Sequence, residues 1–123
     1  MPKVQIVHKP GCSTSRGALQ ILEENGIDHE VVLYLTKKLS FKKIEILVRK
    51  LGVRPLDMIR KKELLFQEQF ADKNLNDNEW IQAMVDNPVL IERPIVIKGN
   101  KAVIARPPEL IFRFLKIKNS QPR

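Results

Sequence analysis

The chain has 123 residues, of which 43% are hydrophobic and 29% charged, a size and composition that fit one globular domain with a buried core. No run approaches the ~20 apolar residues of a membrane-spanning helix, and the single cysteine, Cys12, excludes an internal disulfide. A strand-like run begins close to Met1, so no secretory signal is expected, and the lone cysteine favours the reducing cytoplasm.

The net charge of +8 is concentrated in one stretch. Residues 37–62 contain ten basic and two acidic residues, whereas the rest of the chain contains twelve of each. Such a run is most often a solvated helix face, but it also fits a docking surface for an acidic partner or for nucleic acid. The only Trp and Tyr lie outside the run, so the aromatic platforms of single-strand binders are missing and nucleic-acid binding is disfavoured.

The N-terminal part of the chain predicts a strand, a helix and a second strand. Val4–His8 is strand-like, Lys9–Gly11 forms a turn, and an amphipathic helix opens at Cys12. Gly26 is a typical helix stop, and His29–Leu35 is the second strand. This order is a βαβ unit, which normally makes the two strands parallel.

The middle of the chain, about residues 37–88, predicts a helical insert. Apolar residues at positions 44, 47, 48 and 51 recur with the period of a helix. The start and stop signals of the predicted helices are Ser40 with Gly52, Pro55, and Asn76 and Glu79 with Asn87-Pro88.

Two short strands and a helix close the chain. Ile95–Ile97 and Ala102–Ile104 flank Gly99-Asn100, a two-residue hairpin turn. Pro107-Pro108 starts a last helix, and the polar residues after Lys116 are expected to fray. The order βαβ, helical insert, ββα predicts an α/β, thioredoxin-like fold with a four-stranded mixed sheet, as a single domain over residues 1–123. By analogy with that fold, Pro94 is expected to follow a cis peptide bond and to face the Cys12 helix.

Cys12 lies where the first helix begins, among Gly, Ser, Thr and Arg rather than apolar residues. The unpaired N–H groups and the positive dipole end of a helix lower the pKa of a thiol placed there. Ser15 occupies the position of the second cysteine in a two-cysteine redox motif, so an oxidised or adducted Cys12 requires an outside thiol. No Cys/His cluster has the spacing of zinc ligands, and no metal or bound cofactor is expected.

Three charged side chains are candidates for acting on this thiolate. His8 ends the first strand, where a protonated imidazole would stabilise the thiolate, although a local hydrogen bond explains a strand-end histidine equally well. Arg93 and Arg106 lie at strand ends that face the Cys12 helix in a thioredoxin-like arrangement. Because arginine binds tetrahedral oxyanions with two parallel hydrogen bonds, these positions indicate an anionic substrate.

The sequence resembles the glutaredoxin-coupled arsenate reductases over nearly its whole length, from about Val4 to Leu115. The segments that carry the resemblance are His8–Arg16, Arg60-Lys61, Glu92–Val96 and Ala105–Glu109.

The resemblance implies a function and a set of site residues. Cys12 would attack arsenate to form a covalent adduct, and glutathione as co-substrate, followed by glutaredoxin, would release arsenite. Arg60, Arg93 and Arg106 match the family's oxyanion-binding arginines. His8 would stabilise the thiolate, and Ser15 and Arg16 would complete the anion loop. A cytoplasmic monomer with no membrane association is expected.

Two other functions stay open. A branch of the same superfamily contains regulators that bind RNA polymerase, and the basic insert fits such a role, although those proteins typically carry a two-cysteine switch that Ser15 lacks. A thiol reductase acting on another substrate, such as a glutathione mixed disulfide, is the second alternative. The strand-end arginines favour an oxyanion over that substrate.

Overall fold

The structure, a computed structural model, describes residues 3–118. Its regular elements follow one another as β1 (Val4–Val7), α1 (Ser13–Glu24), β2 (His29–Val32), α2 (Phe41–Leu51), a 3₁₀ helix (Pro55–Met58), α3 (Leu64–Gln69), α4 (Asp77–Asp86), a second 3₁₀ helix (Pro88–Leu90), β3 (Ile95–Lys98), β4 (Lys101–Ile104) and α5 (Leu110–Leu115).

The four strands form one mixed sheet in the order β2-β1-β3-β4. Strand β1 runs parallel to β2 and antiparallel to β3, and β3 runs antiparallel to β4. This sheet with its helices confirms the predicted α/β, thioredoxin-like fold class. Neighbouring parallel strands need a crossover connection, and α1 supplies it between β1 and β2.

The chain divides into two compact units, one made of residues 34–92 and the other of the remaining described residues on either side of them. The unit that carries the sheet has a core between β1, β3, α1 and α5. Ile6, Leu22, Val96 and Ile111 are fully buried there. On α1, Ala18 and Leu22 are one turn apart and face this core, which fixes the orientation of the helix that Cys12 precedes.

In the unit formed by residues 34–92, α2 packs against α4 and the first 3₁₀ helix. The side chains of Ile44, Met58 and Met84 are completely buried in it. The predicted helix signals are confirmed: the Ser40 side chain accepts a hydrogen bond from the Lys43 N–H, and Asn76 and Glu79 form a reciprocal capping box.

The structure corrects the predicted end of the second strand and the expectation that the middle region is helical throughout. Strand β2 ends at Val32, and a turn begins at Tyr34, whereas the alternating apolar residues predict a strand as far as Leu35. Tyr34 is fully buried, and packing of this large side chain overrides the local strand propensity. The middle region is not helical throughout, because Ile59 and Ile91 pair as an isolated antiparallel bridge.

The hairpin turn at Gly99-Asn100 is present as predicted, between β3 and β4. Most of the segment expected to fray, residues 119–123, lies outside the described residues. Over residues 3–118, none of the helices has the length and apolar character needed to cross a lipid bilayer.

Candidate active site

The topology of the sheet brings three chain segments to one edge. Val7, the last residue of β1, pairs with Ile95, the first residue of β3, and Ile95 pairs with Ile104, the last residue of β4. The residues that follow β1, precede β3 and follow β4 must therefore meet at this edge. These positions hold the segment from His8 to Cys12, the Arg93-Pro94 pair and Arg106.

Cys12 is the N-cap residue of α1 and its side chain is partly exposed. A tight turn precedes it, in which the Cys12 N–H donates to the carbonyl of Lys9 at 3.0 Å. The sulfur lies beside the backbone N–H groups of Ser15 and Thr14 in the first turn of α1, and these groups favour its charged form. They are the donors that the side-chain oxygen of a Ser or Asp cap usually satisfies.

Two arginine side chains complete the surroundings of the thiol. The Arg106 guanidinium Nη1 lies 3.9 Å from Cys12 Sγ and also donates to the backbone carbonyl of Arg93 at 2.8 Å. Arg93 is only 5% exposed, and its side chain favours the charged form of the thiol. The hydrogen bond to the Arg93 carbonyl holds Arg106 beside the sulfur, and no carboxylate among residues 3–118 forms an ion pair with Arg106 that would compete with an anion.

These contacts change the acidity of the thiol. Burial by itself raises the pKa of Cys12, but hydrogen bonds from the Ser15 N–H, from Arg93 and Arg106 and from the Thr14 N–H outweigh it and lower the pKa to about 7. A large fraction of Cys12 is thus thiolate at neutral pH, which is the form that attacks electrophiles.

The Ser15 hydroxyl is fully buried and bonds to the loop before the helix rather than to the thiol. Its Oγ accepts from the Lys9 N–H at 3.1 Å and lies 2.6 Å from Nδ1 of His8, which is also buried. The hydroxyl therefore fixes the turn that carries Cys12, while the Ser15 backbone N–H lowers the pKa of the thiol.

The surroundings of His8 favour its neutral form. Burial and the nearby charge of Arg16 lower the pKa of His8 below its ordinary value of 6.5. The predicted role of His8 in stabilising the thiolate stays a prediction. Positive charge beside the sulfur comes from Arg93 and Arg106.

Arg16 braces the same loop from the helix side. Its Nη1 donates to the carbonyl of Pro10 at 2.8 Å. This hydrogen bond spans the turn that contains Gly11 and ties it to the first turn of α1. The guanidinium is exposed, and its role in binding an oxyanion stays a prediction.

Both arginines beside the thiol precede a proline in a cis peptide bond. The Arg93-Pro94 and Arg106-Pro107 bonds are cis. Across the sheet edge, the N–H of Ala105 donates to the Pro94 carbonyl at 2.9 Å. The second cis bond was not expected from the sequence, in which Pro107-Pro108 is predicted only to start a helix.

Arg60 belongs to the unit formed by residues 34–92. Its backbone N–H donates to the Leu90 carbonyl at 2.7 Å, and its guanidinium lies 3.6 Å from a Glu63 carboxylate oxygen and 3.9 Å from one of Glu92. Its predicted role as an oxyanion ligand stays a prediction.

Sequence reasoning missed two features that position the site. One is the carbonyl of Arg93, which orients Arg106. The other is the close approach of α1 to the segment after β4: a Cβ atom at Gly17 would lie 3.3 Å from Cγ of Pro108. The glycine in the first half of an amphipathic helix was the only sequence signal for this close contact.

Within residues 3–118 there is no cluster of three or more His, Cys, Asp or Glu side chains that could hold a metal ion. The chemistry at this edge of the sheet is that of the thiolate and its cationic surroundings. Fold and site together define a thioredoxin-like protein built around one activated cysteine that can attack an anionic electrophile.

Comparison with known proteins agrees with this class. The model of the ArsC family matches residues 7–114. The Escherichia coli (strain K12) protein YfgD, described as uncharacterized, is 44% identical over 115 residues, which are 92% of this chain and 97% of that protein. A Neisseria meningitidis protein named arsenate reductase is 42% identical over 113 residues, covering 90% of this chain and 97% of that one.

Solved structures give the same result. A structure described as arsenate reductase from Vibrio cholerae aligns with a TM-score of 0.86 and 38% identity, covering 91% of this chain and 97% of that chain. The chain belongs to the ArsC family, which confirms the resemblance found in the sequence at the level of the family.

Proposed function

We propose that this protein is an arsenate reductase that uses Cys12 as its nucleophile and takes its electrons from glutathione and glutaredoxin. The observation that carries the proposal is the Arg106 guanidinium 3.9 Å from a thiol whose pKa is lowered to about 7. A nucleophile and a cation at this distance suit an electrophile that is itself an oxyanion. Relatives named arsenate reductase in Neisseria meningitidis and Vibrio cholerae support arsenate as that oxyanion.

In the first step, the Cys12 thiolate attacks the arsenic atom of arsenate. An S–As bond forms, an As–O bond breaks, and the departing oxygen leaves as water after taking up protons. Arsenic stays in its +5 state, so no electrons are transferred yet. Arg93 and Arg106 neutralise the arsenate oxygens that approach the thiolate, while the Thr14 and Ser15 N–H groups hold the sulfur in place.

In the second step, arsenic is reduced by thiols from outside the chain. Glutathione attacks the Cys12 sulfur of the adduct: an S–S bond forms, the S–As bond breaks, and its electron pair stays on arsenic, which leaves as arsenite in the +3 state. A glutaredoxin thiol then attacks the glutathione sulfur of this mixed disulfide, so that glutaredoxin carries the glutathione away and Cys12 returns as a thiolate. The dependence on borrowed thiols follows from Ser15, whose buried hydroxyl cannot form a disulfide with Cys12.

The remaining predicted site residues act on the loop or on the anion. His8 and Ser15 position the loop through their 2.6 Å contact, and Arg16 holds it through Pro10. A role of Arg60 in binding the oxyanion rests on the family resemblance. The protein works in the cytoplasm, where reduced glutathione is abundant.

A coupled assay tests the proposal. The protein is mixed with arsenate, glutathione, glutaredoxin, glutathione reductase and NADPH, and we expect NADPH consumption that depends on arsenate and is lost in Cys12→Ser. A thioredoxin system in place of glutathione and glutaredoxin should give no turnover. Absence of turnover at every arsenate concentration would refute the enzyme assignment. Turnover with the thioredoxin system alone would refute the proposal that the electrons come from glutathione and glutaredoxin.

The alternative of a thiol reductase is tested in the same cuvette. A glutathione mixed disulfide replaces arsenate, and we expect little NADPH consumption beyond the glutaredoxin background. The positive charge of Arg93 and Arg106 beside Cys12 supports this expectation, because arsenate carries negative oxygens on the atom that is attacked, whereas the sulfur atoms of a disulfide carry no such charge. Faster turnover with the mixed disulfide than with arsenate would make the thiol-reductase reading the better one.

A further inference from the structure

One face of α2 carries a concentration of positive charge that the proposed chemistry at Cys12 does not use. At its centre is Ile46, which is half-buried. The residues three and four positions before and after Ile46 are Lys42, Lys43, Arg49 and Lys50. Side chains at these spacings are neighbours on a helix surface, so an apolar residue is ringed by four cations.

The charge of this face is only partly neutralised within the chain. Glu45 lies 3.7 Å from the Lys42 ammonium and 3.9 Å from the Arg49 guanidinium, and it is shared between them. No carboxylate among residues 3–118 is paired with Lys43 or Lys50. The face therefore keeps a net positive charge, and the Lys42 and Arg49 side chains are 73% and 70% exposed.

Lys42 and Lys43, in the first turn of α2, make the start of this helix less stable than carboxylates at the same positions would. Ser40 caps the helix and accepts a hydrogen bond from the N–H of residue 43, which is the position where a glutamate would complete a capping box. The chain uses that device in α4, where Asn76 and Glu79 bond to each other's backbone N–H. In α2 the position holds Lys43, beside Lys42, and cations in a first turn oppose the helix dipole.

At Lys43 the local rule is broken without a compensating carboxylate among residues 3–118, and such a position is expected to serve something other than the fold. The buried side of α2, with Ile44 and Leu47, already supplies the packing of the helix. The cations on the opposite side add nothing to that packing. Their arrangement around Ile46 is that of an interface, in which a small apolar centre is surrounded by a polar rim.

We infer that the α2 face formed by Lys42, Lys43, Ile46, Arg49 and Lys50 is a docking surface for an acidic segment of a partner protein, one that places an apolar side chain on Ile46 and carboxylates on the surrounding cations. Charge complementarity selects the acidic partner. The apolar centre favours a protein segment over a nucleic acid, because phosphate contacts need no apolar anchor and no aromatic side chain lies among these residues for a base to stack on. The inference is independent of the reaction at Cys12.

The probe is a fluorescent synthetic peptide in which glutamates lie on both sides of a central leucine. Its affinity is measured by fluorescence anisotropy, and its site is mapped from amide chemical shifts of the labelled protein. We expect the largest shifts in α2 and the same affinity in Cys12→Ser. Largest shifts outside residues 37–62 would overturn the inference.

Three variants separate the parts of the surface. Lys43→Glu with Lys50→Glu should weaken binding by about tenfold or more, since two attractive charges become repulsive. The matched control, Lys101→Glu with Lys116→Glu, makes the same change of charge on exposed lysines of the other unit and should weaken it much less. If both pairs of substitutions weakened binding equally, the peptide would be responding to the net charge of the protein, and the inference of a defined surface on α2 would be wrong. Thermal unfolding of each variant shows that it is folded.

Ile46→Ser tests the apolar centre. It should weaken binding of the leucine peptide severalfold and leave unchanged the binding of the same peptide with serine in place of leucine. An equal affinity of wild type and Ile46→Ser for the leucine peptide would exclude the proposed anchor. Tighter binding of a duplex DNA of equal charge through the same residues would show that the partner is a nucleic acid and refute the inference.

Discussion

Cys12 and its surroundings and the α2 face both concentrate positive charge, but they use it differently. Beside Cys12 the cations are few and fixed: Arg93 is 5% exposed, and Arg106 is held by the Arg93 carbonyl at 2.8 Å. On α2 the cations are numerous and solvated, and Lys42 is 73% exposed. The first arrangement lowers the pKa of a thiol, whereas the second presents its charge to the solvent.

The position of a charge matters more than the number of charges. In a partly buried site, polar and charged groups interact through a low local dielectric, so the Ser15 N–H and two arginines are enough to lower the pKa of a thiol. On an exposed helix, water and salt screen each lysine, and only several of them together attract a partner. Substitutions in the two regions test this distinction.

The largest effect is expected from the arginine beside the thiol. Arg106→Gln should raise the pKa of Cys12 toward its ordinary value and lower the arsenate-dependent rate by about 100-fold, since it removes a fixed cation from the thiolate and the oxyanion. The pKa is measured from thiolate absorbance and the rate by the coupled assay. Lys43→Gln, which removes one charge from α2, is the matched control and should change neither; equal effects of both changes would abolish the distinction.

The reactivity of the Cys12 thiol should depend on pH as its lowered pKa predicts. With a pKa of about 7, alkylation of Cys12 by iodoacetamide should reach half its maximal rate near that pH and fall about tenfold per unit below it. An unfolded cysteine titrates near ~8.5. Because folding lowers the pKa, the ionised thiol favours the folded state, so this contribution to stability is complete above the unfolded pKa. It is lost as the pH falls through the folded value.

Denaturant unfolding at several pH values checks the sign. The free energy of unfolding of the wild type, relative to Cys12→Ser, should increase between about pH 7 and ~8.5 and then level off. A difference that is constant over this interval, or an alkylation midpoint at the value of a free cysteine, would show that the thiol is not activated in the folded protein.

Two serines allow a comparison of the regions by stability. Ser15→Ala removes a fully buried hydroxyl and leaves His8 Nδ1 and the Lys9 N–H without their partner, which should cost about 1–3 kcal/mol. Ser40→Ala removes the exposed cap of α2, which should cost about 1 kcal/mol. Urea unfolding measures both. A larger loss at Ser40 would mean that the loop before Cys12 is not held by its buried hydroxyl.

The smallest effects on the free energy of unfolding are expected from charge changes in α2, and they have opposite signs at the two ends of this helix. Lys43→Glu completes the capping box with Ser40 and should stabilise the protein by about 0.5–1 kcal/mol. Lys50→Glu places a negative charge in the last turn and should destabilise it by about 0.3–1 kcal/mol. Thermal unfolding at low salt resolves the two changes. A loss of stability in Lys43→Glu would indicate that Lys43 has a structural role.

Much of the fold could be predicted because its signals are local. Ser40, Gly52 and the pair Asn76 and Glu79 mark helix ends through bonds that reach only three or four residues. Strand β2 was predicted too long, because the burial of Tyr34, which is complete in the structure, is not encoded in the alternation of apolar residues around it.

Residue type and local order are enough to predict the thioredoxin-like class, the position of Cys12 at a helix start and the lack of a second cysteine beside it. The groups that act on the sulfur are set by the tertiary structure. Arg106 is 94 residues from Cys12, and only the pairing of β1, β3 and β4 brings them to 3.9 Å. Burial likewise lowers the pKa of His8, and packing places the Ser15 hydroxyl against the loop before the helix, because desolvation depends on the packed environment rather than on the residue.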